Sequence, residues 1–521
     1  MQRNQIIALI LVAALVLVGC AGAIVALVAS GPGETGEQAT ATRTPSPAST
    51  GEVSSDGVPE ELLPFYEQTL DWSSCSGGNE CAELEVPIDY SDVETGTVMI
   101  ALERAAARGE RIGSMVVNPG GPGAPGTDMA TNVGSYFTEE LRSSYDIVGF
   151  DPRGTGDSDP IDCLSDAELD EYVAGDPSPD DRAEQREFEA SLADFWAGCE
   201  ANSGEVAAHT STVEVARDMD VLRAVLGEEK LTYFGFSYGT RLGAHYAELF
   251  PDNVGRFVLD GAVDPSISAL DGSLSQAEGF ETALRSYIGN CVDAGNCFLG
   301  DSVEAGLDTI TGLLDNIEAS PLPTDEERDL EVGTAFYGLI APLYSEVNWP
   351  YLDQGLQEAL EGDGTILLFL SDFYGSRENG AYTDNGLEAI SVINCLDDSF
   401  AFTPAQVTKN LSRFLQASPT FGEVFAWGML GCRDTPFTAT DEPDLQIDGS
   451  GAAPIVVIGT TRDPATPYDE AVAMAEQLES GVLLSRDGDG HTAYNRGNAC
   501  IDDTVHAYLI EGIVPKDGKE C

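Results

Sequence analysis

Along the chain, short and mainly apolar runs end at Gly, Asp, Asn or Ser and give way to turns. They cover residues 114–117 before Asn118, 146–150 before Asp151, 231–234 before Gly235, 256–259 before Asp260, 454–458 before Gly459 and 481–484 before Ser485. Runs of this kind suit strands buried on both faces of a parallel sheet, because covering helices leave no wet face to show up as an alternation. Helical patterns lie between some of them. Residues 212–226 place Val213, Ala216, Met219, Leu222 and Val225 along one face and stop at Gly227, while residues 240–249 follow the third run and end before Pro251. The alternation predicts an α/β layered fold with a mostly parallel sheet.

That rhythm breaks between residues 265 and 445. Helical segments at 274–288, 303–317 and 355–360 are separated by loops, and the charged run 325–331 has the composition of a solvated face. The stretch is expected to be a mostly helical cap inserted between two core strands, which divides the core into residues 59–264 and 446–521.

Residues 6–29 form a 24-residue run without a charge, preceded by Arg3 and followed by Glu34 and Glu37. As a helix the run would reach ~36 Å, enough to cross a bilayer core, and the order of charges puts everything after it outside. Residues 1–30 are therefore expected to be a membrane or signal segment, and residues 31–58, rich in Gly, Ser, Thr and Pro, a flexible linker. Leu17-Val18-Gly19-Cys20 resembles a bacterial lipobox, which makes Cys20 a lipidation candidate. The apolar stretch that continues to Ala29 suits an uncleaved anchor helix instead, with a cleaved secretory signal as the third option. All three place the rest of the chain at the extracytoplasmic face of a bacterial membrane or beyond it, touching the membrane through this segment alone.

Cysteine parity agrees with export. Of eleven cysteines, setting Cys20 aside leaves an even set, and sequence neighbours suggest Cys75–Cys81, Cys163–Cys199, Cys291–Cys297, Cys395–Cys432 and Cys500–Cys521. With four histidines and no Cys-x-x-Cys, a structural zinc site is not expected. The 521 residues carry 89 acidic and 25 basic side chains, a formal charge of −64, which opposes any role as a reader of nucleic acid. An apolar content of 42 % excludes a disordered chain.

The chemistry centres on Gly235-Phe236-Ser237-Tyr238-Gly239, where an apolar strand ends and a helix begins. A serine projected from so tight a turn needs neighbours without Cβ atoms, which the two glycines supply. A hydroxyl is a poor nucleophile at neutral pH and needs a general base. Of the four histidines, His209 lies in a polar loop before Ser237, His245 in the helix after it and His506 in a terminal helical pattern; His491, in Gly488-Asp489-Gly490-His491-Thr492 after the last long strand, is favoured. The acid that orients the imidazole is expected to be Asp463, which follows a strand and completes the order Ser237, Asp463, His491. Asp260, also at a strand end, and Asp469, in the next helix, are the alternatives. Oxyanion donors are expected from the Tyr238 N–H and, in Asn118-Pro119-Gly120-Gly121-Pro122-Gly123, from Gly121. That glycine loop lacks the Lys and Ser/Thr of a phosphate cradle.

Six segments in order resemble the exported tripeptidyl-aminopeptidase-like α/β-hydrolases, relatives of the prolyl aminopeptidases. They are the glycine loop at 118–123, Phe150-Asp-Pro-Arg-Gly-Thr-Gly156, the serine elbow at 235–240, Val258-Leu-Asp-Gly-Ala-Val-Asp-Pro265, Gly459-Thr-Thr-Arg-Asp-Pro-Ala-Thr-Pro467 and Gly490-His-Thr-Ala-Tyr494. The resemblance spans residues 62–521 and implies an α/β-hydrolase fold with an inserted cap. It also implies a serine exopeptidase that releases short peptides from free N-termini without metal or organic cofactor. The C-terminal segment 421–521 would carry the acid and the histidine, and Asp151-Pro152-Arg153-Gly154 would be a shaping or purely structural loop. Such an enzyme needs a cap carboxylate for the substrate ammonium, and Asp397, in Ile393-Asn-Cys-Leu-Asp-Asp398, is the residue chosen for it. The same triad would also serve a carboxylesterase or lipase. A catalytically dead surface binding module and a substrate-binding lipoprotein of a transporter are the remaining alternatives; the intact triad opposes the first and the serine elbow the second.

Overall fold

The structure is a computed structural model describing residues 57–398, 400–438 and 445–521. The expected membrane or signal segment, Cys20 and nearly all of the expected linker lie outside the described residues.

In chain order the strands are β1 (Ser73–Ser74), β2 (Glu80–Pro87), β3 (Thr97–Ala105), β4 (Gly113–Asn118), β5 (Tyr145–Phe150), β6 (Leu231–Phe236), β7 (Val254–Asp260), β8 (Arg377–Glu378), β9 (Ala381–Tyr382), β10 (Ile455–Arg462), β11 (Gly481–Asp489) and β12 (Lys519–Glu520). Ten of them form one sheet in the order β1-β2-β3-β5-β4-β6-β7-β10-β11-β12. From β5 to β12 every pairing is parallel, whereas β1, β2, β3 and β5 pair antiparallel. The parallel strands are those legible as apolar runs: every residue of β4 and β5 is buried. β2 and β3 alternate between buried and wet positions at the sheet's margin, so a search for continuous apolar runs passes over them.

One side of the sheet packs against helices Thr212–Val225, Tyr238–Leu249 and Tyr468–Gln477, the other against Ala499–Glu511. Phe234, Phe257 and Leu259 are wholly buried, and each such side chain contributes on the order of 1.5–3 kcal/mol. The helix expected at 240–249 starts two residues earlier, directly after the serine. A 26-residue helix, Arg182–Ala207, also stands between β5 and the Thr212–Val225 helix, where sequence periodicity showed nothing. Its buried residues are sparse, which blurs its apolar stripe.

The chain between β7 and β10 leaves the sheet and builds a cap with its own apolar cluster, formed by helices such as Ala269–Ala294, Val303–Ala319, Val332–Ile340 and Thr365–Tyr374 and a two-stranded β8–β9 sheet. The run 325–331 is not wholly a solvated face: Arg328 turns inward to Asp372, and Leu330 is fully buried. The disulfides join the five pairs suggested by sequence proximity, with Cys163–Cys199 and Cys395–Cys432 each closing more than 30 residues.

Candidate active site

Parallel strands deliver their C-terminal ends to one edge of the sheet, and the chemistry-bearing residues collect there. In register, Phe236 of β6 sits beside Asp260 of β7, which sits beside Ile458 of β10. Ser237, one residue past β6, has φ 55° and ψ −126°, a region an L-residue enters at a cost and holds only when packed into it. The packing is tight. A Cβ on Gly235 would lie 2.4 Å from the Gly239 carbonyl, and one on Gly239 would lie 2.8 Å from Asn118 Oδ1. The Ser237 N–H donates to the Asp260 carbonyl at 2.9 Å. Its hydroxyl is half-buried and makes no hydrogen bond among the described residues.

Asp463 and His491 come together from the loops after β10 and β11. His491 Nδ1 lies 2.8 Å and 3.0 Å from the two Asp463 oxygens. A carboxylate only accepts, so the neutral ring carries its proton on Nδ1 and leaves Nε2 as the free lone pair. Asp463 is 2 % exposed and also accepts N–H bonds from Ala465, Thr466 and Thr492, each at 3.0 Å. Four donors thus fix the carboxylate, and the Thr466 hydroxyl stands 3.4 Å from the same ring nitrogen. Residues 465 and 466 escaped the sequence reading, although Asp-Pro-Ala-Thr is the kind of string in which an aspartate bonds its own downstream backbone. A Cβ on Gly261 would meet His491 Cε1 at 3.1 Å. Asp260-Gly261 therefore touches the serine backbone on one side and the imidazole on the other.

The alternative acids take other positions. Asp260 is wholly buried and accepts the Ala493 and Tyr494 N–H groups, which holds the chain just after His491; burial pushes its carboxyl up to about 6. Asp469 is exposed at the start of the helix Tyr468–Gln477. Two of the other histidines bond elsewhere, and the third, His209, keeps a buried Nδ1 without a hydrogen-bond partner among the described residues. His245 Nδ1 lies 2.8 Å from the Arg241 carbonyl, with burial pushing the ring down to about 4, and His506 Nε2 meets Thr138 and Tyr494.

On the opposite wall stands the glycine loop. A Cβ on Gly120 would lie 2.8 Å from Ser237 Cβ and 3.1 Å from Tyr238 N, so only a bare backbone can come this close to the elbow. The Gly120 N–H donates to Asn118 Oδ1 at 3.0 Å and is spent. The N–H groups of Gly121 and Tyr238 enter no hydrogen bond among the described residues. Arg153, in the neighbouring loop, is fully buried and bonds Asp218 and the carbonyls of Pro87, Ile88 and His209, which assigns that loop a structural role. Asp397 accepts the N–H and hydroxyl of Thr212 with its two oxygens and faces Arg241. It caps a core helix and is not gathered with Ser237 and His491.

The sheet, the strained serine turn and the paired loops define an α/β-hydrolase. Residues 418–521 match the family model described as TAP-like protein. The chain is 36 % identical over 479 residues to "Serine protease Hip1" of Mycobacterium tuberculosis, covering 88 % of this chain and 92 % of that one. It is 36 % identical to "Carboxylesterase B" of the same organism over 85 % of this chain and 86 % of that one. It is 31 % identical to "Tripeptidyl aminopeptidase" of Streptomyces lividans over 85 % and 84 %. The chain belongs to the TAP-like α/β-hydrolase family and is a serine hydrolase.

Proposed function

We propose that this protein is an extracytoplasmic serine aminopeptidase that releases short peptides from free N-termini through an acyl-enzyme. Ser237 Oγ attacks the peptide carbonyl carbon while His491 Nε2 takes the hydroxyl proton, and Asp463 steadies the resulting imidazolium. The carbonyl oxygen gains the negative charge and is met by the N–H groups of Tyr238 and Gly121, which are free for it. When the C–N bond breaks, His491 returns the proton to the leaving amine. Water then repeats the cycle on the ester, giving its proton to His491 and displacing Ser237. The set needs no metal or organic cofactor for these steps, and Asp260 acts on backbone alone, its carbonyl accepting the Ser237 N–H and its carboxylate the N–H groups after His491.

The observation that carries this reading is the ordered His491–Asp463 pair, 2.8 Å apart, with Asp260-Gly261 reaching from the imidazole to the backbone of the strained Ser237. The peptide substrate is supported by the relatives named as a serine protease and a tripeptidyl aminopeptidase, and the extracytoplasmic setting by five disulfides and the uncharged run at 6–29. A second reading, ester hydrolysis by the same residues, draws on the equally similar relative named as a carboxylesterase. Assays of matched peptides with free and N-acetylated ends, beside short acyl esters, separate the two. Loss of cleavage on acetylation is the expected result, and faster turnover of esters with indifference to acetylation would favour the second reading.

A further inference from the structure

We infer that Tyr344, in the cap, is a positioning residue for His491, so that the imidazole reaches its working place only while the cap is seated. The inference rests on the proposed role of His491 as the base. Tyr344 ends the short cap helix Ala341–Tyr344, far in sequence from every other part of the site. Its carbonyl accepts the His491 N–H at 2.8 Å, and its ring stands edge-on to the imidazole at 88° with centroids 5.4 Å apart. The approach is made at backbone level. Gly490 has φ +95°, and a Cβ there would lie 2.9 Å from the Tyr344 carbonyl and 3.4 Å from Ser345 Cα.

The loop that is held this way is under tension without its neighbours. Thr492, directly after the histidine, has φ 67°, a left-handed conformation that a β-branched residue adopts only when its surroundings impose it. The cap grips the same loop a second time, through the Ser286 hydroxyl donating to Asp489 Oδ1 at 2.5 Å. Ser237, by contrast, is anchored from the core through the Asp260 carbonyl. The two partners of the proton transfer are therefore fastened to different bodies, and Tyr344 is where the cap's position becomes the position of the ring.

The test uses Tyr344→Leu, Tyr344→Phe and Gly490→Ala in the whole enzyme. Each is assayed on a free-N-terminal peptide, on a short acyl ester too small to fill the cap, and for fluorophosphonate labelling of Ser237. Tyr344→Leu is expected to lower kcat on both substrates by about 10–100-fold with KM little changed, the scale of a base displaced by a fraction of an ångström to an ångström. Tyr344→Phe, which keeps the ring, should restore most of the activity, and labelling should slow in parallel with kcat. Gly490→Ala should repeat the loss from the other side of the contact. Wild-type labelling and kcat in Tyr344→Leu, or a rise in KM alone, would overturn the inference. Full activity in Ser237→Ala would instead overturn the proposed function on which it stands.

Discussion

The site has two halves held by different means. On the nucleophile side, Ser237, Tyr238 and the glycine loop are locked by the parallel sheet, by glycines packed so closely that an added Cβ would lie as near as 2.4 Å to its neighbour, and by a backbone bond from Ser237 to Asp260. On the acid–base side, the loops carrying Asp463 and His491 leave the sheet and are secured by their own bonds, by Asp260 and by the cap. Gln276 donates to the Ala465 carbonyl, Gly279 packs on Pro464, Ser275 bonds Glu470, and Tyr344 accepts from His491. Strain is tolerable at Ser237 because a rigid sheet surrounds it. The His491 loop, by contrast, is also tied to the cap. The nucleophile half is thus fastened to the sheet, and the acid–base half to the sheet edge and the cap together.

The sharpest break of this contrast removes one chemical group from each half. Ser237→Ala and His491→Ala should each lower turnover by several orders of magnitude while the thermal midpoint stays within a few degrees, and the double variant should be little worse than either alone. Additive losses would show that the halves do not act as one unit. Next comes a comparison of two carboxylates. Asp463→Asn, which leaves the ring without its orienting partner, should cost about 10³–10⁴ in kcat, whereas Asp260→Asn should cost less than about 10-fold and act mainly on stability. Equal losses would contradict the assignment of the acid.

Gly120→Ala probes the rigid half. Its Cβ would press on Ser237 Cβ and the Phe236 carbonyl at a φ of +104°, so a loss of about 10²-fold in kcat with KM nearly unchanged is expected. The smallest effect is a pH dependence on the acid–base half. Burial pushes Glu470, bonded by the cap hydroxyl of Ser275, up to about 7, against about 4.3 in an unfolded chain. Between those values the folded state holds a proton that the unfolded state has lost, so stability falls as pH rises through the window. Glu470→Gln imitates the protonated form. It should raise Tm by about 1–3 °C near pH 8 and leave it unchanged near pH 4, as read by calorimetry at both pH values.

Much of the nucleophile half was legible in the chain. The runs of β4, β5, β6 and β7 are mainly apolar because most of their residues are buried, and Gly235 and Gly239 flank a serine in a tight turn. The pairing of Asp463 with His491 followed from the same reasoning, and so did the cysteine pairs, all of which join sequence neighbours at separations from 6 to 37 residues. The role given to Asp397 was not borne by any local pattern. In a chain with 89 acidic residues, nothing nearby in sequence marks which carboxylate will face a Thr212 that lies 185 residues away. The helix Arg182–Ala207 and the margin strands β2 and β3 were missed because a half-wet element carries a weaker pattern than a buried one.

The amino-acid order by itself determined the buried central strands, the strand-end placement of the chemistry and the types of group available, because burial on both faces and tight turns act through near neighbours. Only the tertiary structure decided which acid meets the imidazole and which merely holds its backbone, that the Gly120 N–H is spent and the Gly121 N–H is free, and that a tyrosine from the cap stands against His491. Those choices are contacts between residues tens to hundreds of positions apart. Their geometry is set by the packing of cap on core, which no local periodicity encodes.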